Sequence, residues 1–230
     1  MEKEKIVVLS GAGISAESGI KTFRDADGLW EGHDIMEVAS PIGFDKNPAL
    51  VLDFYNQRRR QLKEVAPNEG HKALVTLEEK YDVIIVTQNV DNLHERAGSS
   101  KIMHLHGELT KMRGVQYPYK IYDCPGDIVV GDVCERGSQL RPHIVWFGED
   151  VPMIETAVTE CEQAAILLII GTSMQVYPAA SLINFVPQNI PIYFIDPNPA
   201  VNQSLYQNLT VIAEKASTGV SKVVEELMNS

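Results

Sequence analysis

Four short polar clusters, each set after an apolar run, hold most of the side chains here that can do chemistry. The first is Gly11-Ala12-Gly13-Ile14-Ser15-Ala16, after Ile6-Val7-Val8-Leu9. A strand that breaks into close glycines before a helix start lets backbone approach a pyrophosphate, with N–H donors at the helix N-terminus. A tight turn without a ligand has the same composition. The second is Thr87-Gln88-Asn89-Val90-Asp91-Asn92, after Val83-Ile84-Ile85-Val86. Amides and a carboxylate at the C-terminal edge of a parallel strand suit an amide or ribose hydroxyls; the competing reading is an Asn/Asp turn that caps the next helix. The third is His104-Leu105-His106-Gly107. Alternate residues of a strand share a face, so both histidines point one way, and a histidine at a strand end can serve as general base near neutral pH, although a lone one is more often structural. The fourth repeats the first: Ile166–Ile170 runs into Gly171-Thr172-Ser173, a helix follows, and Ile192–Ile195 ends in Asp196. That order is what a ribose-binding unit needs, so a nucleotide is expected to be held from both halves of the chain.

The segment after the first glycines departs from a dehydrogenase, which requires a second apolar strand with an acidic end roughly 20 residues on. Residues 18–30 read instead as a polar, Gly-punctuated loop carrying Phe23, Arg24 and Trp30, of the kind that covers ligands. Arg24 meets either phosphate and ribose or plain solvent.

The elements that must position these clusters are legible as apolar runs. Strands are expected at Ile6–Leu9, Asp82–Thr87, Ile102–Leu105, Ile144–Phe147, Ile166–Ile170, Ile192–Ile195 and Thr210–Ile212. Helical patterns fall at Pro48–Lys63, Gly70–Glu79, Pro178–Val186 and Gly219–Met228; the last carries Val220, Val223, Val224, Leu227 and Met228 as one stripe. This alternation predicts an α/β fold, a Rossmann-like parallel sheet with helices on both faces. Residues 34–63 look purely helical and 108–140 irregular, so both are read as insertions that build a smaller lobe. The large lobe is then 1–33, 66–106 and 144–230, the small lobe 34–65 and 107–143, in one catalytic domain with a cleft between them. At 230 residues the chain suits one elaborated domain.

A net charge of −11 and no dominant basic patch argue against direct nucleic-acid binding. The longest apolar run, Ala164–Ile170, is too short to span a membrane. Three cysteines, Cys124, Cys134 and Cys161, form no even framework, which together with the lack of a signal peptide predicts a cytoplasmic protein.

Taken together, Gly11-Ala12-Gly13-Ile14-Ser15, Thr22-Phe23-Arg24, Gln88-Asn89-Val90-Asp91, His106-Gly107, Leu140-Arg141-Pro142-His143-Ile144-Val145-Trp146-Phe147-Gly148-Glu149 and Gly171-Thr172-Ser173 resemble the motif set of the sirtuins, NAD-dependent protein lysine deacylases. The match runs in the right order over nearly the whole chain. The resemblance implies NAD as co-substrate and an acyl-lysine protein or peptide in the cleft. It implies attack of the acyl amide oxygen on the nicotinamide ribose, then His106 as base, with nicotinamide and O-acyl-ADP-ribose as products. By the same resemblance Asn89 and Asp91 sit at the nicotinamide, Gln88 at the ribose, and Gly171, Thr172 and Ser173 at phosphate. Gly11, Ala12, Gly13, Ser15, Ala16, Phe23, Arg24, Trp30, Val90, Asp196, Pro197, Asn198 and Ala216 complete the expected cofactor contacts. Val145, Trp146 and Phe147 line the acyl-lysine tunnel and present a strand edge to the peptide.

Two features refine the resemblance. Val51, Tyr55, Arg58 and Leu62 share one helical stripe, which places a phenol and a guanidinium on an apolar face. Arg58 should therefore meet an anion, either an internal carboxylate or a ligand. Tyr-x-x-Arg here resembles the sirtuin subgroup that removes succinyl and malonyl groups, in which the pair binds the acyl carboxylate and a small residue, matched by Ala39, makes room. A plain deacetylase with a structural Arg58 is the alternative within enzymes, and a catalytically silent NAD- or ADP-ribose-binding module the alternative outside them. The second feature is a departure: sirtuins usually hold zinc with two Cys-x-x-Cys pairs, whereas Cys124 and Cys134 stand alone, with Gly114, Tyr117 and Gly137 where further thiolates would lie. Four ligands are needed, so structural zinc is expected to be absent, with residues 117–122 able to form a compact apolar cluster instead; a zinc site completed by a nearby histidine or aspartate is the alternative.

Overall fold

The computed structural model describes residues 3–21, 29–30, 32–199, 201 and 208–230. Phe23 and Arg24 lie outside the described residues, and of Trp30 only the backbone pairing with His33 is described. In chain order the elements are β1 (Lys5–Ser10), β2 (Leu29–Trp30), β3 (His33–Asp34), α1 (Ile35–Val38), α2 (Pro41–Lys46) and α3 (Pro48–Glu64). Next come α4 (Glu69–Leu77), β4 (Asp82–Thr87), α5 (Leu93–Ala97), β5 (Ile102–His104), β6 (Gly107–Gly114), β7 (Ile121–Asp123) and β8 (Leu140–Ile144). The chain ends with α6 (Ile154–Glu162), β9 (Ile166–Ile170), β10 (Ile192–Ile195), β11 (Leu209–Ile212) and α7 (Ala216–Asn229).

Six strands form one parallel sheet in the order β11-β10-β9-β1-β4-β5. Every second residue of β1 turns to the same face: Ile6 and Val8 pack with Leu74, Leu77, Val220 and Val224 of α4 and α7, while Val7 and Leu9 pack with Cys161, Leu182 and Phe194. A strand covered on both faces has to be continuously apolar, and this is why the sequence shows it as an unbroken run. Full burial of each such aliphatic side chain is worth about 1.5–3 kcal/mol. The chain runs from β1 to β4 on one side and returns to β9 on the other, so the switch in strand order lies between β1 and β9.

A third apolar cluster joins α3 to a separate antiparallel sheet of order β7-β6-β8, through Val51, Phe54, Tyr55, Leu62, Leu109 and Ile144. Residues 108–140 are therefore not simply irregular. The register shift between Glu108 and Met112 breaks the alternation that would have marked β6. The expected strand Ile144–Phe147 is also corrected: the strand is Leu140–Ile144, hidden by its Arg-Pro-His composition, and the chain leaves the sheet after it. Pro178–Val186 is a 3-10 helix over Ala179–Phe185 rather than an α-helix. The apolar cluster expected at 117–122 does not form, because Tyr119 is 96% exposed and Tyr117 and Ile121 also face solvent. Among the described residues no helix is long and apolar enough to cross a membrane.

Candidate active site

Because the six strands run parallel, their C-terminal ends share one edge, and the strand order sets Asp196, Gly171-Thr172, Gly11, Gln88 and His106 along it. The two glycine turns meet there. Gly13 N–H donates to the Gly171 carbonyl at 2.8 Å, and Gly11 N–H to that of Ile170 at 3.0 Å. A Cβ on Gly13 would stand 2.6 Å from Gly171 Cα; one on Gly171, at φ +60°, would stand 2.3 Å from Ile14 N. Backbone on both sides thus excludes a side chain at either position. The helix start expected after Gly13 is instead two 3-10 turns, Ala12–Ile14 and Ala16–Ser18, and the Gly11 and Gly13 amides are engaged by the facing turn.

Gln88 Nε2 donates to Thr172 Oγ1 at 3.0 Å, tying the ends of β4 and β9 across β1. Thr172 is buried and Ser173 half-buried. Asp196 is buried with Oδ1 accepting from Asn198 N–H at 2.8 Å, while Pro197 and Asn198 are exposed. Ala16 is exposed, Ala12 half-buried, and Ala216 buried where α7 begins, its carbonyl against Gly70. Hydroxyls, amides and a carboxylate that converge on one strand edge are a donor set that fits a dinucleotide.

Beneath this edge runs a buried polar chain. Asn89 Nδ2 donates to Ser15 Oγ at 3.2 Å, and Ser15 Oγ donates to Asp91 Oδ2 at 3.0 Å. Asp91 Oδ1 accepts from Leu93 N–H at 3.0 Å, so the turn reading of this segment is also true. Burial raises the Asp91 carboxyl, against these two donors. Val90 is half-buried against α3's cluster, with its carbonyl accepting from Leu109 N–H. Further groups carried no sequence signal as functional: Ser10 Oγ donates to Thr87 Oγ1 and bonds His94 Nε2 at 3.0 Å, and the His94 ring lies 5.0 Å from that of His71. Burial holds both of these histidines neutral, His71 at about 4 and His94 well below its usual value.

His106 is half-buried, and its Nδ1 faces the Gln88 carbonyl at 3.1 Å. A carbonyl only accepts, so Nδ1 carries the proton and Nε2 keeps its lone pair. Burial lowers the imidazole's pKa more than the Gln88 bond raises it, which leaves His106 a neutral base. Gly107, at φ +79°, admits no side chain, since a Cβ would lie 2.0 Å from the His143 carbonyl.

At the other end of the candidate site, Ala39, Phe44, Tyr55 and Trp146 belong to one buried cluster. Trp146 Nε1 donates to Tyr55 Oη at 2.9 Å, and the Arg141 guanidinium lies 3.2 Å over the indole. Glu149 holds that guanidinium through both oxygens, at 2.7 and 3.0 Å, and accepts from Trp146 N–H. Burial pushes the Tyr55 phenol well above its usual pKa. Arg58 is half-buried; its Nη1 donates to the Phe54 carbonyl at 2.7 Å and its charge is felt at Tyr55. The fully internal arginine of α3 is Arg59, bound to Leu109 O and Asn56 Oδ1, which the helical stripe did not indicate. Val145, Trp146 and Phe147 are not part of a strand: Val145 N–H donates to His106 O and Phe147 N–H to Ala39 O, so the segment is tied to the β5–β6 connection and to the end of α1, with Phe147 exposed.

The metal question turns on Gly114 and Cys134. A Cβ on Gly114 would come 3.2 Å from Cys134 Sγ, so these two positions adjoin; Gly137 N–H closes a turn on Cys134 O, but a Cβ there would meet nothing within 4 Å. Cys124 donates elsewhere, to Gly126 O. Among the described residues no group of three or more His, Cys, Asp or Glu side chains is arranged to hold an ion, and these residues do not fit four-coordinate zinc.

Comparison with known proteins agrees with this geometry. Residues 11–178 match the family model "Sir2 family". The chain is 59% identical over 225 residues to an NAD-dependent protein deacylase of Helicobacter pylori, covering 98% of each chain. It is 51% identical over 231 residues to one of Bacteroides thetaiotaomicron, again covering 98% of each. Among solved structures, a Sir2 homologue–NAD complex superposes with TM-score 0.88 at 36% identity, over 99% of this chain and 91% of the other.

Proposed function

The chain belongs to the Sir2 family, and from that premise we propose an NAD-dependent protein lysine deacylase that prefers acyl groups ending in a carboxylate. The coarse activity, NAD-dependent protein deacylation by an enzyme, follows from family membership and from the relatives' shared activity. When bound, NAD supplies an electrophilic ribose carbon whose nicotinamide departs, and its ADP-ribose part accepts the acyl group.

This chain's residues supply position and proton transfer. Gly11, Gly13 and Gly171 let the two turns close under the cofactor, and Gln88, Thr172, Ser173 and Asp196 offer polar groups to its ribose and phosphates. Ser15 orients Asn89 and Asp91 toward the nicotinamide side. The observation that carries the activity is the His106 tautomer: Nδ1–H on Gln88 O leaves Nε2 to take a proton from a ribose hydroxyl. The acyl-lysine enters between the two sheets past Val145–Phe147. The small lobe, 34–65 and 107–143, closes over it.

The acidic-acyl preference is supported by Ala39 and Tyr55 sharing one cluster, with Arg58 one turn further along α3. One observation favours the plain deacetylase: Arg58 stacks 3.9 Å over the Phe54 ring and bonds its carbonyl, an anchorage that serves packing as well as binding. The reading includes no structural zinc: it is supported by Gly114, which has no side chain to offer beside the Cys134 thiol where a four-coordinate site needs a further ligand. The reducing compartment suggested by three thiols suits the cytoplasm. Nicotinamide release measured on one peptide that carries acetyl-, malonyl- or succinyl-lysine tests both levels. No release on any of them refutes the deacylase; equal or higher kcat/KM on acetyl refutes the preference.

A further inference from the structure

His104 and His106 leave the same strand end, and each presents Nδ1 to the carbonyl of a consecutive residue, His104 to Asn89 at 3.0 Å and His106 to Gln88 at 3.1 Å. They differ at Nε2. That of His106 has no hydrogen-bond partner among the described residues, whereas that of His104 faces Glu95 Oε1 at 2.7 Å. A carbonyl oxygen and an ionised carboxylate can only accept. A neutral imidazole carries one N–H and satisfies one of them; only the imidazolium satisfies both.

The geometry points to His104 as a protonated positioning residue, an imidazolium that pins the Asn89 carbonyl to α5 through Glu95 and so holds residues 88–91 in place for the reaction. This rests on the reading of that segment as the nicotinamide side of the site. Asn89 is buried, so without His104 its carbonyl would lose its partner. The adjacent carbonyl, that of Gln88, is the one that sets the His106 tautomer, so a shift of this peptide reaches the base directly.

The surrounding charges agree. The side chain of His104 is 8% exposed. Burial alone would lower its pKa, but the Glu95 bond and charge, with Glu108 from β6, raise it on balance. Glu95 is correspondingly lowered: burial opposes its ionisation, but the His104 bond outweighs it. The other titratable neighbours are Asp91, whose ionised form the His104 charge favours against burial, and His94, which burial keeps neutral. Two histidines two positions apart thus hold opposite protonation states, one to clamp and one to accept. Since the folded His104 lies above its ordinary value of 6.5, the clamp is complete below about pH 6.5 and is lost as pH rises through the raised value.

Nitrogen-15 NMR of the histidine rings in the full chain tests this without turnover. At pH 6.5 both His104 nitrogens should resonate as protonated, while His106 shows one bare nitrogen; a singly protonated His104 there overturns the assignment. In Glu95→Gln the His104 titration should move down by about one unit or more, and the alkaline limb of kcat/KM with it. An unmoved alkaline limb also overturns the assignment. His104→Gln, which keeps an N–H donor for Asn89 O, should retain more activity than His104→Phe, expected to lose roughly tenfold. Equal losses would mean that the ring only fills space. Should nicotinamide release be absent in the parent protein, the deacylase reading fails while the ring titration still reports on His104.

Discussion

Replacing Arg58 by methionine separates binding from packing at the proposed acyl end of the site. The guanidinium lies 3.9 Å over the Phe54 ring and donates one N–H to the Phe54 carbonyl at 2.7 Å. Methionine keeps most of the stem's contact with that ring, and its sulfur contributes about 0.3–1.5 kcal/mol there, against about 0.5–1 kcal/mol for the lost cation–π contact. Arg58 is only half-buried, so the net stability change should stay within about 1–2 kcal/mol, a fall in Tm of no more than roughly 2–8 °C for a chain of this size. If Arg58 binds the acyl carboxylate as proposed, the effect on that substrate is larger. A charge-assisted bond is worth about 1.5–3 kcal/mol, which makes the succinyl-to-acetyl ratio of kcat/KM fall by roughly 10- to 150-fold. The assay is steady-state nicotinamide release on one peptide with either acyl group, beside a melting curve. A parallel loss on both substrates, with a large drop in Tm, would show that Arg58 is a structural member of α3 and refute the carboxylate contact.

His106→Ala should reduce deacylation by about 10²–10⁴-fold while calorimetry still detects NAD binding, and His104→Ala should cost much less; equal losses would remove His106 as the base. Because burial lowers His106, the base is present above its depressed value and lost as pH falls through it, so the acid limb of kcat/KM should lie below pH 6.5; a limb above that value contradicts the environment described. Gly171→Ala places a Cβ 2.3 Å from Ile14 N at a positive φ, and should weaken NAD binding by roughly tenfold or more with a lower Tm; unchanged affinity would take the glycine turns out of the cofactor site. Purified protein should contain no stoichiometric zinc, and a chelator should leave both activity and Tm unchanged, because a structural zinc would contribute about 10 kcal/mol or more. One equivalent of zinc by elemental analysis, lost with activity on Cys124→Ser plus Cys134→Ser, would falsify this.

Much of the fold could be read in the chain because its central sheet leaves no choice of pattern. β1, β4, β9 and β10 are covered on both faces, so each is an uninterrupted apolar run with a polar or glycine turn at its end. The same logic exposed the candidate site, since ligand-binding groups of a parallel sheet sit where those runs stop. The antiparallel sheet was opaque for the converse reason. A register shift in β6 and a proline in β8 disturb the period of two, and an apolar face shared with α3 needs only a few hydrophobic residues per strand.

What the sequence determined by itself was which side chains stand at the ends of which strands, because turn chemistry and hydrophobic period are properties of neighbours along the chain. Which of those ends adjoin was decided by the strand order, which alone brings Gly13 against Gly171 and Gln88 onto Thr172. The protonation states were decided there too. His104 and His106 share one strand end and one facing segment, yet Glu95 on a packed helix makes one a cation while burial keeps the other neutral. A pKa answers to burial and to charges a few ångströms away, and neither is a function of local sequence.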